Sequence, residues 1–138
     1  METQNIPNLR LKFALLANAC FSTLCAVPMI GYANQLASLT GIGEVESIRS
    51  MGFGLPLFAG FLFFLTRGKS SKLQPFMVWP VVFGDFFWVI ASFAGLATGS
   101  SSLTTLGSWL VAEVAILVGL FGAAQAYFLI KRERVDIG

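Results

Sequence analysis

Four long apolar stretches, separated by short polar joints, constrain the fold of this chain more than any other feature. They lie at about residues 13–33, 48–66, 76–98 and 106–130. A helix of about 20 apolar residues, rising 1.5 Å per residue, matches the ~30 Å hydrocarbon layer of a bilayer. The sequence therefore predicts four membrane-spanning helices.

The composition leaves no room for a separate soluble domain. The 138 residues are 56% hydrophobic and 12% charged, whereas soluble domains have about a quarter charged residues. The apolar stretches are nearly continuous, which favours helices over the alternating pattern of a membrane barrel. A water-soluble bundle is disfavoured because no stretch has a polar face wide enough to meet water. We predict an all-α, four-helix transmembrane bundle that forms one domain, 1–138.

The basic residues are distributed asymmetrically around the four stretches. Of the nine lysines and arginines, only Arg49 falls on the side of the loops 34–46 and 99–104. The other eight lie at the opposite ends of the stretches: Arg10, Lys12, Arg67, Lys69, Lys72, Lys131, Arg132 and Arg134. Cytoplasmic loops carry the excess of positive charge. Both termini are therefore predicted to be cytoplasmic, with the loops 34–46 and 99–104 outside.

The residues that the chain lacks exclude several kinds of chemistry. There is no histidine, which excludes His-ligated haem, His-based proton shuttles and most zinc or di-iron sites. The short pattern Gly41-x-Gly43 is not a nucleotide-binding loop. No cofactor, metal site, catalytic residue or nucleic-acid partner is predicted.

Two acidic residues fall inside predicted spans. Asp85 lies about nine residues into the third span, and Glu113 about eight residues into the fourth, which starts from the opposite side. Both are thus predicted near the middle of the membrane, where a charge costs at least ~2.5 kcal/mol. Their stems are too short to reach an interface. We expect both carboxyls to point toward neighbouring helices.

Polar residues of the first two spans are candidate partners for these acids. Asn18 and Ser22 share one face of the first helix, and Arg49 begins the second. We predict a polar core in which Arg49 pairs with Glu113 or Asp85 while Asn18 and Ser22 donate hydrogen bonds. One arginine against two acids leaves one carboxyl either protonated or free for a cationic ligand. The candidate ligand-binding residues are Asn18, Ser22, Arg49, Asp85, Trp88 and Glu113.

Small residues recur along the last three spans at intervals of three and four. Such residues let helix backbones approach closely in a membrane. We predict that they pack the helices within the bundle, with a contact between copies of the chain as the other use. The candidate packing residues are Gly52, Pro56, Gly60, Gly84, Gly95, Ala112, Ala115 and Gly119.

Three functions are compatible with these residues. The bundle binds a small amphipathic or cationic ligand in its polar core, with transport by a dimer or larger assembly as an extension of that function. Alternatively, it is an accessory or assembly subunit of a larger membrane complex, and the polar cluster is purely structural. The third hypothesis is an intramembrane enzyme using Asp85 and Glu113 as acid and base. It is less favoured because no nucleophile accompanies the two acids.

Segments of the second, third and fourth spans resemble small bacterial four-span proteins of uncharacterised function. The segments are Arg49-Ser-Met-Gly-Phe-Gly-Leu-Pro-Leu-Phe-Ala-Gly, Gly84-Asp-Phe-Phe-Trp-Val-Ile-Ala-Ser and Leu106-Gly-Ser-Trp-Leu-Val-Ala. Their general plan is similar to that of the DoxX-like group, over about two-thirds of the chain. The resemblance implies a multi-pass protein of the bacterial inner membrane with four helices. It implies no particular chemistry.

Overall fold

The computed structural model describes residues 5–67, 74–98 and 102–137, and these ranges form five helices and no strand. The helices are α1 (Asn5–Gly31), α2 (Ala33–Thr40), α3 (Val45–Thr66), α4 (Pro75–Thr98) and α5 (Thr105–Ile137). All except α2 contain a segment long and apolar enough to cross a membrane, namely Asn8–Gly31, Val45–Thr66, Pro75–Thr98 and Thr105–Arg132. The predicted all-α fold with four such helices is confirmed.

Helix α2 occupies the first half of the segment predicted as a loop, 34–46, so that prediction is wrong there. Ala33 and Thr40 face inward and are buried. The helix ends at Gly41, whose left-handed conformation (φ 67°) lets its N–H donate to the Ala37 carbonyl. A β-carbon at Gly41 would also overlap the Ser102 carbonyl. Glycine is therefore required at this position both by backbone conformation and by space.

The four long helices alternate in direction, which gives the bundle two distinct ends. The start of α1, the end of α3, the start of α4 and the end of α5 meet at one end, here called the terminus end. The opposite end, which carries α2, is called the α2 end. The described basic residues lie toward the terminus end, apart from Arg49 at the α2 end. Lys69 and Lys72 are outside the described residues.

A core cluster of buried apolar side chains lies toward the terminus end. In the bundle as a whole, α1 packs against α3 and α5, and α4 packs against α5. The core cluster joins side chains of all four long helices, with Leu11, Leu15, Leu62, Val78, Val82 and Leu129 at its centre. Helices α3 and α4 meet in this cluster but are not paired along their lengths. The bundle is thus closed at one end and more open between α3 and α4 toward the other.

At the α2 end, hydrogen bonds fasten α2 to the start of α5. The Thr104 N–H donates to the Thr40 carbonyl over 2.9 Å, and the Thr104 hydroxyl donates to the Leu39 carbonyl over 2.8 Å. The same hydroxyl accepts the Gly107 N–H at 3.0 Å and so caps the first turn of α5. Gly107 lies so close to Thr40 that a β-carbon would overlap the Thr40 carbonyl. These four residues, Leu39, Thr40, Thr104 and Gly107, are called the α2 clamp.

Candidate functional site

Asp85 is a buried carboxylic acid near the middle of α4. It is only 4% exposed and ends the buried face that begins with Val78, Val81 and Val82. Beyond Asp85, no residue of α4 is fully buried. Asp85 therefore lies where the close-packed half of the bundle meets the more open half.

Helix α1 supplies the hydrogen-bonding partner of Asp85. The Asn18 Nδ2 donates to Asp85 Oδ2 over 2.8 Å, and Asn18 is 1% exposed. One turn further along α1, the Ser22 hydroxyl donates to Asn18 Oδ1 at 3.5 Å, the long limit of such a bond. The prediction that Asn18 and Ser22 lie beside an acid is realised at Asp85. Ser22, Asn18 and Asp85 thus form a chain of hydrogen bonds that links α1 to α4.

Helix α5 closes the third side of the cluster. A β-carbon at Gly122 would lie 3.2 Å from the Asp85 Cβ, so the glycine allows α5 to approach Asp85 directly. One turn beyond Gly122 is Gln125, which is 0% exposed. Neither of its side-chain amide atoms has a hydrogen-bond partner among the described residues. The hydrogen-bonded residues Asn18, Ser22 and Asp85, together with Gln125 one turn along α5 from the glycine that contacts Asp85, are called the polar cluster.

Gln125 is a candidate ligand-binding residue that was not among those predicted from the sequence. A glutamine near the end of an apolar span suggests an interfacial position, but the structure buries this one completely. The available signal was the stripe of small residues on α5. Gln125 follows Gly122 by three residues and precedes the buried Leu129 by four, which places all three on one helix face.

Arg49 does not join the polar cluster, so its predicted pairing with Asp85 or Glu113 is wrong. Its Nη1 lies 3.3 Å from Glu46 Oε2, and the two side chains are 40% and 76% exposed. Arg49 lies in the second turn of α3, at the α2 end, with Glu46 one turn earlier on the same helix. A local pair near the surface avoids the desolvation that a central ion pair would require.

Glu113 is also placed differently from the prediction. Its side chain is exposed and has no hydrogen bond or ion pair with a described residue. Nine residues separate it from Gly122, and at about 100° per residue the two lie about 180° apart around α5. Because Gly122 faces Asp85, Glu113 faces away from the bundle. The predicted grouping of the two acids is therefore absent.

Trp88 follows Asp85 by three residues on α4 and is 38% exposed. It lies at the border between the buried face and the surface of the helix. The structure thus brings together Asn18, Ser22 and Asp85, puts Trp88 beside them along α4, and separates Arg49 and Glu113 from them.

Some of the predicted packing residues do contact a neighbouring helix. A β-carbon at Gly52 would lie 2.9 Å from the Met29 Cβ of α1, and one at Gly119 would lie 3.4 Å from a Val89 methyl of α4. Ala115 is fully buried, and Ala112 is half-buried.

For the remaining small residues, the prediction of packing within the bundle is wrong. Pro56, Gly60 and Gly84 are exposed. A β-carbon at Gly60, Gly84 or Gly95 would meet no atom within 4 Å. These residues lie on α3 and α4, which do not pair along their lengths, so no neighbouring backbone approaches them.

A separate surface depression lies at the α2 end, between α4 and α5. Its volume is about 450 Å³, and it is lined by Leu96, Leu103, Thr105, Ser108, Trp109 and Ala112. Ala112 is ten residues from Gly122, or about 15 Å along α5. The depression is therefore distinct from the polar cluster.

The fold defines the chain as a multi-pass helical membrane protein, with a carboxylic acid and a carboxamide buried in the bundle. Comparison with protein families, curated proteins and solved structures finds no match. The chemistry available to the polar cluster is hydrogen bonding and the binding of a proton or cation by Asp85.

Proposed function

We propose that this protein is a membrane-embedded binding protein whose polar cluster takes a small cationic or amphipathic ligand. The observation that carries the proposal is Asp85, a carboxyl that is 4% exposed near the middle of a spanning helix. Asn18 donates to it, but no ion pair joins it to a described basic residue. A carboxyl in such surroundings holds a proton or a cationic partner, because the bare charge is costly there.

The hydrogen-bonding groups around Asp85 support a ligand with polar atoms. Buried side-chain amides in folded proteins nearly always have partners. The Gln125 amide, with no partner among the described residues, offers both a donor and an acceptor. In the proposal, Asp85 binds the positive group of the ligand, Asn18 holds the carboxyl in place and Gln125 contacts a second polar group.

The packing of the bundle supports entry from the side. The buried face of α4 ends at Asp85, and α3 and α4 are not paired toward the α2 end. A ligand partitioned into the bilayer reaches Asp85 between these helices, past the half-exposed face near Trp88. Such a route suits an amphipathic molecule whose apolar part stays in lipid. Transport is an extension of this proposal and requires a dimer or larger assembly.

We place the protein in a bacterial inner membrane with both termini in the cytoplasm, as the DoxX-like resemblance and the charge distribution suggest. Of nine basic residues, all except Arg49 belong to the terminus end in the sequence. The positive-inside tendency supports this orientation. Labelling of single cysteines added at either end, with an impermeant maleimide on intact cells, tests it.

Binding is tested with a pair of ions that match in shape and differ in charge. The purified protein in lipid nanodiscs is titrated with tetraphenylphosphonium and with tetraphenylborate, and bound ion is measured by equilibrium dialysis against empty nanodiscs. We expect saturable binding of the cation alone. The Asp85→Asn variant, which keeps the shape of the side chain, should weaken that binding about tenfold or more.

Glu113→Gln is the matched control, because it removes the other membrane-embedded acid from the opposite side of α5. It should bind the cation as the wild type does. Equal binding by Asp85→Asn and wild type, or loss in Glu113→Gln alone, would contradict the assignment of Asp85 as the anchor. A series from tetramethylammonium to tetraphenylphosphonium with no saturable binding at any size would reject the cationic ligand.

A second candidate function, the accessory subunit of a larger complex, is favoured by one observation. Gly60 and Gly84 present exposed backbone on α3 and α4, where another helix can approach closely. Gly60→Leu and Gly84→Leu should then reduce co-purification of a partner from native membranes. The acid–base enzyme hypothesis is not supported, because Asp85 of α4 contacts one side of α5 while Glu113 projects from the opposite side, so the two acids cannot act together.

A further inference from the structure

We infer that a second copy of this chain packs against the exposed side of α5, with Glu113 in the middle of the contact. This inference concerns a different face from the polar cluster and does not depend on the proposed ligand.

The exposed side of α5 is a narrow row with coiled-coil spacing. Its residues alternate at steps of three and four and are all exposed: Leu106, Trp109, Glu113, Ile116, Leu120 and Ala123. This row is called the α5 strip. A seven-residue repeat of this kind suits a neighbouring helix that crosses at about 20° in a left-handed pair. No described element of the same chain covers the strip.

Glu113 makes the strip unsuitable as a lipid-facing surface. It lies seven residues from Leu106, about 10 Å along the helix, within the apolar span. Its neighbours along the strip, Trp109 and Ile116, are 67% and 54% exposed. A carboxyl surrounded by acyl chains has no hydrogen-bonding partner. A second helix that supplies a donor at this depth removes that cost.

The strip itself supplies the matching group, which is why the occupant is assigned as another copy. Copies inserted in the same orientation pair around an axis normal to the membrane, so identical strip residues meet in successive layers. The Trp109 indole N–H lies one turn from Glu113 on the same strip. In a symmetric pair, the two Glu113 carboxyls face each other across the axis and share a proton, with the two Trp109 indoles one turn away.

The surface beside the strip has room for a partner's ring. The depression of about 450 Å³ adjoins Trp109, and its apolar lining includes Leu96 and Leu103. A large side chain from the second copy, Leu106 or Trp109, fits against this surface. Aromatic residues that enter such depressions commonly dominate the energy of an interface.

Cysteine cross-linking in liposomes tests the geometry. The native Cys20 and Cys25, both free thiols, are first replaced by alanine. Leu120→Cys and Ala123→Cys then probe the strip, while Phe87→Cys and Leu24→Cys probe exposed positions of α4 and α1, which are 73% and 70% exposed in the native chain. Under a membrane-permeant oxidant, we expect covalent dimers from the strip positions and monomers from the controls. Equal cross-linking at the controls would overturn the inference.

The role of Glu113 is tested by dilution in lipid, with single-molecule photobleaching to count subunits. Glu113→Leu should weaken dimerisation about tenfold, since the hydrogen bond between the two carboxyls is lost, whereas Glu113→Gln can still form a hydrogen bond between its two amides and should lose less. Asp85→Asn should dimerise normally, which separates this result from the ligand-binding test. Monomers at every lipid dilution, unchanged dimerisation in Glu113→Leu, or strip cross-links formed only to another protein in native membranes would each refute a self-contact.

Discussion

The surroundings of Asp85 and Glu113 in the folded chain differ more than their similar positions within apolar spans suggest. Both acids lie within apolar spans, yet Asp85 is 4% exposed and accepts a hydrogen bond from Asn18. Glu113 is exposed and has no partner among the described residues. Depth in the membrane is therefore not what separates them. The difference is the position of each acid around its helix.

This comparison shows that glycine can fix the role of a distant acid. Gly122 brings α5 against Asp85 and thereby turns the opposite side of α5, with Glu113, away from the bundle. One acid becomes part of the interior, where we propose that it binds a ligand. The other becomes part of the outer surface, where we propose that it contacts a second copy of the chain.

The largest expected effect comes from filling the space beside Asp85. Gly122→Leu should lower the free energy of unfolding by about 3 kcal/mol, because its side chain must displace Asp85 and Phe86. Steric trapping in detergent micelles measures this quantity. The matched control is Gly84→Leu, one residue from Asp85 on the exposed face of α4, and it should change stability by less than about 0.5 kcal/mol. Equal losses of stability in the two variants would show that the helix face of Asp85 is packed no more tightly than the exposed face of α4.

A smaller effect is expected from removing the partner of Asp85. Asn18→Leu should cost about 1 to 2 kcal/mol, since the buried carboxyl loses its donor. The same measurement on Glu113→Leu in monomeric protein should show no loss, because that carboxyl has no partner to lose.

A double variant sharpens this second prediction. Asn18→Leu combined with Asp85→Leu should recover most of the lost stability, because neither polar group is then left unsatisfied. Additive losses in the double variant would mean that the two residues do not depend on each other, contrary to their 2.8 Å contact.

The smallest expected effect is a gain of stability at Gln125. Gln125→Leu has similar volume and removes two buried amide atoms that lack partners, so it should raise the free energy of unfolding by about 1 kcal/mol. The same variant should weaken binding of tetraphenylphosphonium if Gln125 contacts the ligand. A loss of stability would indicate that the amide is satisfied in the folded protein.

The spans were predictable from the sequence because the thickness of the bilayer sets their length. Helix α2 was not, because a short polar segment with two following glycines reads equally well as a loop. The inward position of Asp85 beside Asn18 was also predictable, since a buried acid needs a donor. The predicted ion pair of Arg49 with a membrane-embedded acid is wrong because Glu46, one turn earlier on the same helix, offers a carboxylate near the surface.

The side toward which each long helix faces was the hardest feature to predict. A helix that is apolar all round gives no polar face to mark its outside, so only small residues indicate the contact side. On α5, Ala115, Gly119 and Gly122 mark that side correctly, and Glu113 lies on the opposite side, contrary to the prediction that it points toward a neighbouring helix. On α3 and α4, the same rule misled at Gly60 and Gly84, which approach no other helix of the described chain.

The α2 clamp has a mechanical consequence for the two halves of the molecule. Thr40 belongs to the part of the chain that continues into α3, whereas Thr104 leads into α5, the packing partner of α4. Their hydrogen bonds join the two parts at the α2 end, whereas α3 and α4 are not paired with each other along their lengths. Any further separation of α3 from α4 above Asp85 is then restricted at the α2 end by two hydrogen bonds that Thr104 donates to residues more than 50 positions earlier in the sequence.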